Sequence, residues 1–272
     1  MKKLCIYHGG CIDGFGAAWV VRRMFGDQVE FHAGYYGSPP PDCTGREVIL
    51  VDFSYKLLVM QEILAGAKHV LVIDHHKTAK EELQSLVGTL NFDLYFDLKR
   101  SGAMLAWDYF FPDDYTPALI VHIQDRDLWT FAFPETREII AALFSYPYEF
   151  EVWDGLMNTL TKDLRKEGKA IERKHFKDLE ELLIANSRHM VIGGHRVPVA
   201  NIPHFFASDA GHRLGEGVPF AATYMDTKDG RAFSLRSSQD GGIDVSEIAK
   251  RYGGGGHRNA AGFKMQIGWE GE

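Results

Sequence analysis

The sequence has little cysteine, no long apolar run and no excess of basic residues, and each absence excludes a class of protein. Its 272 residues include 3 cysteines, Cys5, Cys11 and Cys43, which are too few and too irregularly spaced for a disulfide framework. No apolar run approaches the roughly 18 residues that predict a transmembrane helix. The apolar run after the lysines at positions 2 and 3 ends too early for a signal peptide. We therefore expect a cytoplasmic protein with no membrane partner.

The formal net charge of −7 limits the polyanions that the protein is expected to bind. Proteins that hold long nucleic acid neutralise many phosphates and carry a basic surface. This composition lacks such an excess of lysine and arginine, so a polyanionic substrate is expected to be short and held by a few residues. The chain length suits two domains, and the fractions of 45% apolar and 25% charged residues are typical of globular proteins. A homodimer is compatible with these values.

Short apolar runs alternate with helix-like segments in the first half of the chain. The predicted strands are residues 3–7, 47–53, 69–76 and 94–97. The predicted helices are residues 14–26, 55–67, 102–111 and 117–125. This alternation predicts βαβ units and a mainly parallel sheet. The right-handed crossovers of such units bring the carboxyl ends of the strands to one edge.

The pattern changes after about residue 149. Residues 149–188 carry dense charge and leucines at helical spacing, which predicts helices without strands. From residue 190 the chain is strand-rich again, with a hairpin turn at 228–230 and a helix over 246–252. We therefore predict an α/β protein with an N-terminal parallel-sheet domain (1–150), a helical linker (151–189) and a smaller α/β domain (190–272).

Acidic and imidazole side chains follow three of the predicted strands, at the edge where open parallel sheets bind ligands. They are His8, Asp13, Asp52, Asp74, His75 and His76. Carboxylate and imidazole together favour Mn²⁺, Fe²⁺ or Zn²⁺, and a carboxylate such as Asp52 could bridge two ions about 3.5–4 Å apart. The alternative is that an aspartate at a strand end caps a helix or starts a turn, and that a single histidine is structural. The adjacent imidazoles of His75 and His76 have no evident packing purpose and favour the metal site.

Two motifs resemble those of a known family. The segment VIDHHK (72–77) resembles the signature of the DHH phosphoesterase superfamily, and GGGGHRNAAGF (253–263) resembles the substrate-binding motif of its C-terminal DHHA1 domain. The resemblance extends over nearly the whole chain and implies a DHH catalytic domain joined to a DHHA1 domain. The family includes RecJ-like exonucleases, nano-RNases, dinucleotide phosphodiesterases, polyphosphatases and pyrophosphatases.

The resemblance also implies roles for individual residues. His8 would bind one ion, Asp13 and His75 the other, and Asp52 both. His76 would face the scissile phosphate as a donor, with Asp74 orienting its neighbours. The family's fourth motif corresponds to QDRDLW (124–129), in which Asp125 is the favoured ligand because Trp129 then takes the place of the family's aromatic residue. Asp127 is the close alternative, and an ion pair or helix cap is its structural interpretation.

One position departs from the family pattern. Cys11 stands where the family's first motif has an aspartate. A thiolate suits a soft or borderline ion but not Mg²⁺. Cys11 is therefore either a thiolate ligand, a sign that the ion at His8 is held weakly and arrives with substrate, or a small buried residue without a role.

The resemblance places substrate binding in the second domain. The implied residues are Arg236, Gly254, Gly255, Gly256, His257 and Arg258. Glycine N–H groups can approach a phosphate closely, and a guanidinium can bind it through two parallel hydrogen bonds. A flexible turn is the alternative for the glycines. KRSG (99–102) is a weaker candidate for phosphate binding, and Phe205, Phe206 and Tyr224 are candidates for base stacking, with core packing as the alternative.

The sequence therefore predicts a phosphodiesterase or exonuclease that uses one or two divalent ions, of which Mn²⁺ is favoured. Short oligonucleotides or linear dinucleotides such as pGpG are the expected substrates. The alternative enzyme is a pyrophosphatase or polyphosphatase that acts on phosphoanhydrides. The non-enzymatic alternative is a nucleotide-binding sensor that has lost activity.

Overall fold

The computed structural model describes residues 2–272, and the chain divides into two compact units between Glu172 and Arg173. The predicted domain limits at residues 150 and 189 stay predictions. Across residues 2–272, no helix is both long enough and apolar enough to cross a membrane.

The first unit is built on five parallel strands, as the alternation of apolar runs predicted. They are β1 (Lys3–His8), β2 (Val29–Gly34), β3 (Glu47–Val51), β4 (His69–Asp74) and β5 (Phe92–Phe96). Their order across the sheet is β2-β1-β3-β4-β5, and every pair is parallel. β2 was not predicted, because its sequence VEFHAG lacks the continuous apolar run of the central strands and only its end residues are buried.

Helices cover both faces of this sheet. They are α1 (Ile12–Phe25), α2 (Leu57–Gly66), α3 (Lys77–Leu83), α4 (Gly102–Phe110), α5 (Ala118–Asp127), α6 (Thr136–Leu143) and α7 (Phe150–Asn158). Alternate strand residues point to opposite faces. Ile49 therefore packs with Trp19 and Trp153 on one side, while Leu50 packs with Met60 on the other. Burial on both faces explains why the central strands are almost uninterrupted apolar runs.

The second unit contains a six-stranded sheet. Its strands are β6 (Ser187–Ile192), β7 (His195–Asn201), β8 (Ala221–Thr227), β9 (Gly230–Arg236), β10 (Gly255–Gly256) and β11 (Ala260–Met265), in the order β10-β11-β9-β8-β7-β6. Only the pair β7–β8 is parallel among these described strands. The predicted hairpin turn at 228–230 is confirmed, because Thr227 pairs with Gly230. The helices are α9 (Ala207–Leu214) and α10 (Val245–Arg251).

One long helix, α8 (Thr161–Asn186), passes through the point at which the chain divides. Leu164 belongs to the core of the first unit, whereas Leu179 and Leu183 belong to a cluster in the second. The predicted fold class is confirmed: a parallel α/β unit is joined through helix to a smaller α/β unit.

Candidate metal centre

Three buried side chains converge beyond the carboxyl ends of β1, β3 and β4. Asp13 and Asp52 are each 1% exposed and His75 is 2% exposed. The Nε2 atom of His75 lies 3.0 Å from Oδ1 of Asp52 and 3.6 Å from Oδ2 of Asp13. Each residue offers one ligand atom, and these atoms lie within 4.8 Å of one another. The arrangement therefore fits a divalent cation held by two carboxylates and an imidazole.

A second group of donors shares Asp52 with the first. It consists of His8, Asp52 and His76, again with ligand atoms within 4.8 Å of one another. Nδ1 of His8 lies 3.3 Å from Oδ2 of Asp52, while Oδ1 of the same carboxylate faces His75. One oxygen of Asp52 is thus directed to each group, which is the arrangement that a bridging carboxylate requires. The structure brings together His8, Asp13, Asp52, His75 and His76, as the sequence predicted.

The backbone at Asp52 is held in an unusual conformation. Asp52 follows β3 directly and has a φ of 54°, in the left-handed region that non-glycine residues seldom adopt. Its N–H donates to the carbonyl of Ile73 at 2.9 Å, so the turn stays attached to β4. Residues held in sparsely populated backbone regions cluster at functional sites. Here the turn directs the Asp52 carboxylate towards both histidines instead of along the strand.

Asp13 is fixed by the start of α4. Its Oδ2 accepts a hydrogen bond from Gly102 N at 2.6 Å, and its Oδ1 accepts one from Ala103 N at 2.9 Å. Ser101 caps the same helix by accepting from Met104 N. The positive end of the helix dipole therefore faces a carboxylate of the site. Within the KRSG segment, which was a weaker candidate for phosphate binding, the N–H of Gly102 thus binds Asp13.

Asp74 orients the two histidines that follow it. It is 0% exposed, and its Oδ1 accepts from His75 N at 2.7 Å and from His76 N at 3.2 Å. The same oxygen lies 2.7 Å from Nδ1 of His76. The ring of His76 is thereby oriented so that Nε2 is directed away from Asp74. This geometry agrees with the predicted orienting role of Asp74, which stays a prediction.

The structure places Asp127, and not Asp125, at the site. Oδ2 of Asp127 lies 3.8 Å from Nε2 of His75. Asp125 is 4% exposed, and its carboxylate accepts from Thr130 Oγ1 (2.6 Å), Ala132 N (2.7 Å), Phe133 N (3.2 Å) and Thr136 Oγ1 (2.5 Å). Asp125 thus ties the end of α5 to the start of α6. The preference for Asp125 as the ligand is corrected, because its oxygens bind this connecting loop, and Asp127 becomes the candidate.

The spacing to Trp129 favoured Asp125, whereas the geometry favours Asp127, because the loop after α5 is not a simple continuation of the helix. Trp129 and Phe131 have φ values of 58° and 45°, in the left-handed region, and Thr130 N and Phe131 N both donate to Asp125 O in the turn that ends the helix. Sequence spacing could not show this turn. A signal was nevertheless present, since Thr130 and Thr136 provide hydroxyl donors that suit a buried carboxylate.

Cys11 contacts the site without joining either donor group. Desolvation raises the pKa of the Cys11 thiol, and the nearby imidazole of His8 opposes that rise. The thiol is therefore the favoured form in this structure. The donor groups found within residues 2–272 do not include Cys11. The three interpretations of Cys11 that the sequence left open therefore stay predictions.

The site holds more carboxylates than the single imidazole of His75 can neutralise. Burial lowers the pKa of His75, but the carboxylates of Asp127, Asp52 and Asp13 outweigh it and raise the value to about 10. Burial favours the neutral form of Asp52, yet hydrogen bonds from His75 and His8 hold its pKa well below the ordinary range. Burial and the charge of Asp52 raise the pKa of Asp13 well above the usual value. A divalent cation would relieve this excess of buried negative charge.

The predicted substrate-binding residues of the second unit have structural contacts of their own. Arg236, at the end of β9, donates from Nη2 to Ser208 Oγ at 2.9 Å and from Nη1 to Leu235 O at 2.8 Å. Arg258 donates to Gly242 O at 3.2 Å and lies 3.7 Å from Asp244 Oδ2. Both guanidinium groups are thus held by hydrogen bonds within the second unit. Their role in substrate binding stays a prediction.

The glycine run is an ordered strand and turn. Gly255 and Gly256 form β10, and His257 N donates to Ala260 O at 2.8 Å in the turn that follows. A β-carbon on Gly254 would lie 2.0 Å from the carbonyl oxygen of Gly262. Gly256 has a φ of 137° and no room for a side chain beside Ala260 O. The flexible turn considered from the sequence is therefore replaced by close backbone packing, which does not test the phosphate contact.

The aromatic residues of the second unit mostly form core. Tyr224 and Phe206 are each 6% exposed, whereas Phe205 is 74% exposed. The sequence did not indicate Tyr36 of the first unit, whose ring centroid lies 5.4 Å from that of His8. Tyr36 was missed because β2, the strand before it, was not predicted.

Comparison with known proteins gives a family match in the second unit and relatives that align with nearly the whole chain. The DHHA1 domain family matches residues 208–268. The uncharacterized protein R106 of Acanthamoeba polyphaga mimivirus is 33% identical over 283 residues, which cover 95% of this chain and 66% of that protein. The oligoribonuclease NrnB of Bacillus subtilis (strain 168) is 26% identical over 310 residues, covering 96% of this chain and 72% of NrnB.

Two solved structures share the fold at low sequence identity. The DHH domain of a member of a family of ribosomal proteins has a TM-score of 0.59 and 11% identity, covering 97% of this chain and 83% of that one. An exopolyphosphatase-related protein from Bacteroides fragilis has a TM-score of 0.53 and 14% identity, covering 99% and 88%. With the DHHA1 match, the similarity to NrnB and the acidic and imidazole groups at the sheet edge, these findings confirm the predicted resemblance: the chain belongs to the DHH superfamily of phosphoesterases, which are hydrolases, and ends in a DHHA1 domain.

Proposed function

We propose that this chain is a cytoplasmic, metal-dependent phosphodiesterase or exonuclease that hydrolyses short oligonucleotides or linear dinucleotides such as pGpG. The carrying observation is the carboxylate of Asp52, which presents one oxygen to His75 and the other to His8. A carboxylate between two groups of donors suits hydrolysis of a phosphate ester with two bound ions. Two imidazole ligands, His75 for one ion and His8 for the other, support Mn²⁺ over Mg²⁺.

The residues of the first unit divide the chemistry between them. Asp13, Asp52, His75 and Asp127 would hold one ion, and His8 with Asp52 would hold the other. Ions bound there would supply an activated water and neutralise charge on the phosphate. His76, oriented through Nδ1 by Asp74, is positioned to donate from Nε2 to a phosphate oxygen. Asp74 would thus hold the His76 imidazole so that it donates to the phosphate oxygen on which negative charge develops.

The substrate class rests on three further observations. The relative NrnB is named as an oligoribonuclease. The chain carries a DHHA1 domain, and its net charge of −7 disfavours long nucleic acid as the partner. We also propose that Arg236, Gly254, Gly255, Gly256, His257 and Arg258 bind part of the same substrate.

A substrate panel tests the proposal. Purified protein would be assayed with Mn²⁺, with Mg²⁺ and after chelation on pGpG, on oligonucleotides of increasing length, on pyrophosphate and on polyphosphate. The expected result is turnover of dinucleotides and short oligonucleotides with Mn²⁺ and none on phosphoanhydrides. An Asp52→Asn variant is the matched inactive control. Hydrolysis of pyrophosphate without hydrolysis of dinucleotides would instead establish the phosphoanhydride alternative, and nucleotide binding without any turnover would establish a sensor.

A further inference from the structure

Two tyrosines lie exposed beside the donor groups at the edge of the sheet. β2 ends at Gly34, which pairs with His8 at the end of β1, and Tyr35 and Tyr36 follow at once. Tyr35 is 52% exposed and Tyr36 is 53% exposed. Large aromatic side chains that remain this exposed next to a reaction centre have surface available for a ligand.

Tyr36 contacts both histidines of the second donor group. Its ring centroid lies 5.4 Å from that of His8 and 6.3 Å from that of His76, with interplanar angles of 68° and 74°. On its inner side it packs at 4.9 Å against Phe53, which is completely buried. One part of the ring is therefore held by the core while the rest is accessible.

The segment that carries the tyrosines contains a hydrogen-bonded turn and is followed by three prolines. Ser38 N donates to Tyr35 O at 3.0 Å, which closes a turn over Tyr35–Ser38, and Gly37 at its third position has a φ of 88°. A type II turn requires a residue with this left-handed conformation at that position, and glycine adopts it without steric cost. Residues 39–41 are all proline, which fixes the backbone that follows. A turn closed in this way limits the conformational entropy that is lost when a ligand binds.

Tyr35 is anchored against the backbone of the loop after β1. A β-carbon on Gly9 would lie 2.5 Å from Cζ of Tyr35, so the ring occupies space that only a glycine leaves open. The glycine in the HGG segment thus has a specific purpose, since it allows an aromatic ring to pack next to His8. Tyr35 and Tyr36 are thus each held beside the site by contacts of their own.

We propose that Tyr36 stacks on the nucleobase next to the scissile phosphodiester. This inference rests on the proposed function and narrows its substrate to nucleotides. Stacking on an aromatic ring accepts any base, because every base has a π face. A phosphate bound between His8 and His76 would place its attached nucleoside within reach of a ring that contacts both histidines. Pyrophosphate and polyphosphate have no ring on which Tyr36 could stack.

The test compares a dinucleotide with analogues in which one base is replaced by hydrogen, assayed with Mn²⁺. Tyr36→Ala is expected to raise KM for the dinucleotide about 5- to 150-fold, the effect of losing one stacked base. Tyr36→Ala should leave KM unchanged for the analogue that lacks the stacked base. The analogue that behaves in this way therefore shows on which side of the scissile phosphate the stacked base lies. Tyr36→Trp and Tyr36→Phe should retain the wild-type KM, because both keep an aromatic face.

Tyr115→Ala is the matched control. Tyr115 is fully exposed and lies beyond the C-terminal end of α4, whose N-terminal end at Gly102 faces the site. It should not alter KM for either substrate. An equal rise of KM for the dinucleotide and for both analogues in Tyr36→Ala would overturn the stacking proposal, since the residue would then act on the site itself.

A binding measurement keeps the inference separate from the proposed function. Isothermal calorimetry in the presence of Mn²⁺ would compare a nucleoside monophosphate with inorganic phosphate. If the wild type turns over no dinucleotide, the proposed function fails. Stacking is still supported if Tyr36→Ala binds the nucleotide more weakly than the wild type does but binds inorganic phosphate equally well. Equal affinity of wild type and Tyr36→Ala for the nucleotide would overturn it.

Discussion

Gly102 packs so closely against Asp52 that a β-carbon on it would lie 2.4 Å from Cβ of Asp52 and 2.8 Å from its Oδ1. The same glycine donates its N–H to Asp13 at 2.6 Å. The start of α4 therefore sets the positions of two candidate ligands at once. It fixes Asp13 by a hydrogen bond and Asp52 by direct packing.

We expect Gly102→Ala to displace Asp52 and to lower kcat by about 100-fold, the order of effect of misplacing a reacting group by about 1 Å. Apparent Mn²⁺ affinity should fall in parallel. Gly155→Ala is the control, since Gly155 lies within α7 and a β-carbon there meets no atom within 4 Å. It should keep full activity and stabilise the protein by up to about 1 kcal/mol. Unchanged kcat in Gly102→Ala would refute the packing argument.

Asp125 and Asp127 should respond differently to the same change. Asp127→Asn is expected to weaken Mn²⁺ binding and turnover while leaving the melting temperature almost unchanged, because the side chain faces the site. Asp125→Asn should lower the free energy of unfolding by about 1–3 kcal/mol, because a buried acceptor of several hydrogen bonds loses its charge. Calorimetric melting and Mn²⁺ titration of both variants check this. The reverse pattern would restore Asp125 as the ligand.

Metal binding should depend on pH with a definite sign. The pKa of His75, raised to about 10 in the metal-free protein, means that its imidazole is protonated at pH 7. A histidine must lose its proton before it binds a metal ion, so Mn²⁺ should displace a proton and its apparent affinity should rise between pH 7 and pH 9. Calorimetry in buffers of different ionisation enthalpy measures the released protons. An affinity that falls over this interval would exclude His75 as a ligand.

Arg236 should affect substrate binding more than the chemical step. Arg236→Ala is expected to raise KM about tenfold or more with a smaller change in kcat, since a guanidinium that holds a phosphate contributes mainly to binding. Arg236→Lys should recover only part of this, because lysine lacks the planar fork. The melting temperature of each variant controls for the lost hydrogen bond to Ser208. A fall in kcat at constant KM would assign Arg236 to catalysis.

The parallel sheet and most of the candidate site could be predicted from the sequence for a single physical reason. Buried central strands are almost continuous apolar runs, and parallel strands deliver the residues after them to a common edge. That reasoning predicts that Asp52 and His75 lie close together, as they do. It failed for β2, whose mixed composition conceals a strand, and therefore for Tyr36 beyond it.

Sequence reasoning also failed where backbone conformation decides the outcome. The left-handed turns at Trp129 and Phe131 direct Asp125 into its own loop and leave Asp127 facing His75. The left-handed conformation of Asp52 likewise gives each oxygen of one carboxylate a different histidine. No local sequence pattern indicates such conformations, and Asp52 packs closely on Gly102, which is distant from it in the sequence.

The shared carboxylate of Asp52 is the central claim, and Mn²⁺ titration of Asp52→Asn tests it most directly. Asparagine accepts the left-handed backbone at this position, so the variant should fold normally. If Asp52 serves both donor groups, the substitution should lower the affinity for every Mn²⁺ ion that the wild type binds. His8→Asn should lower the affinity for only one of them. An Asp52→Asn protein that binds Mn²⁺ with wild-type stoichiometry and affinity would contradict the account.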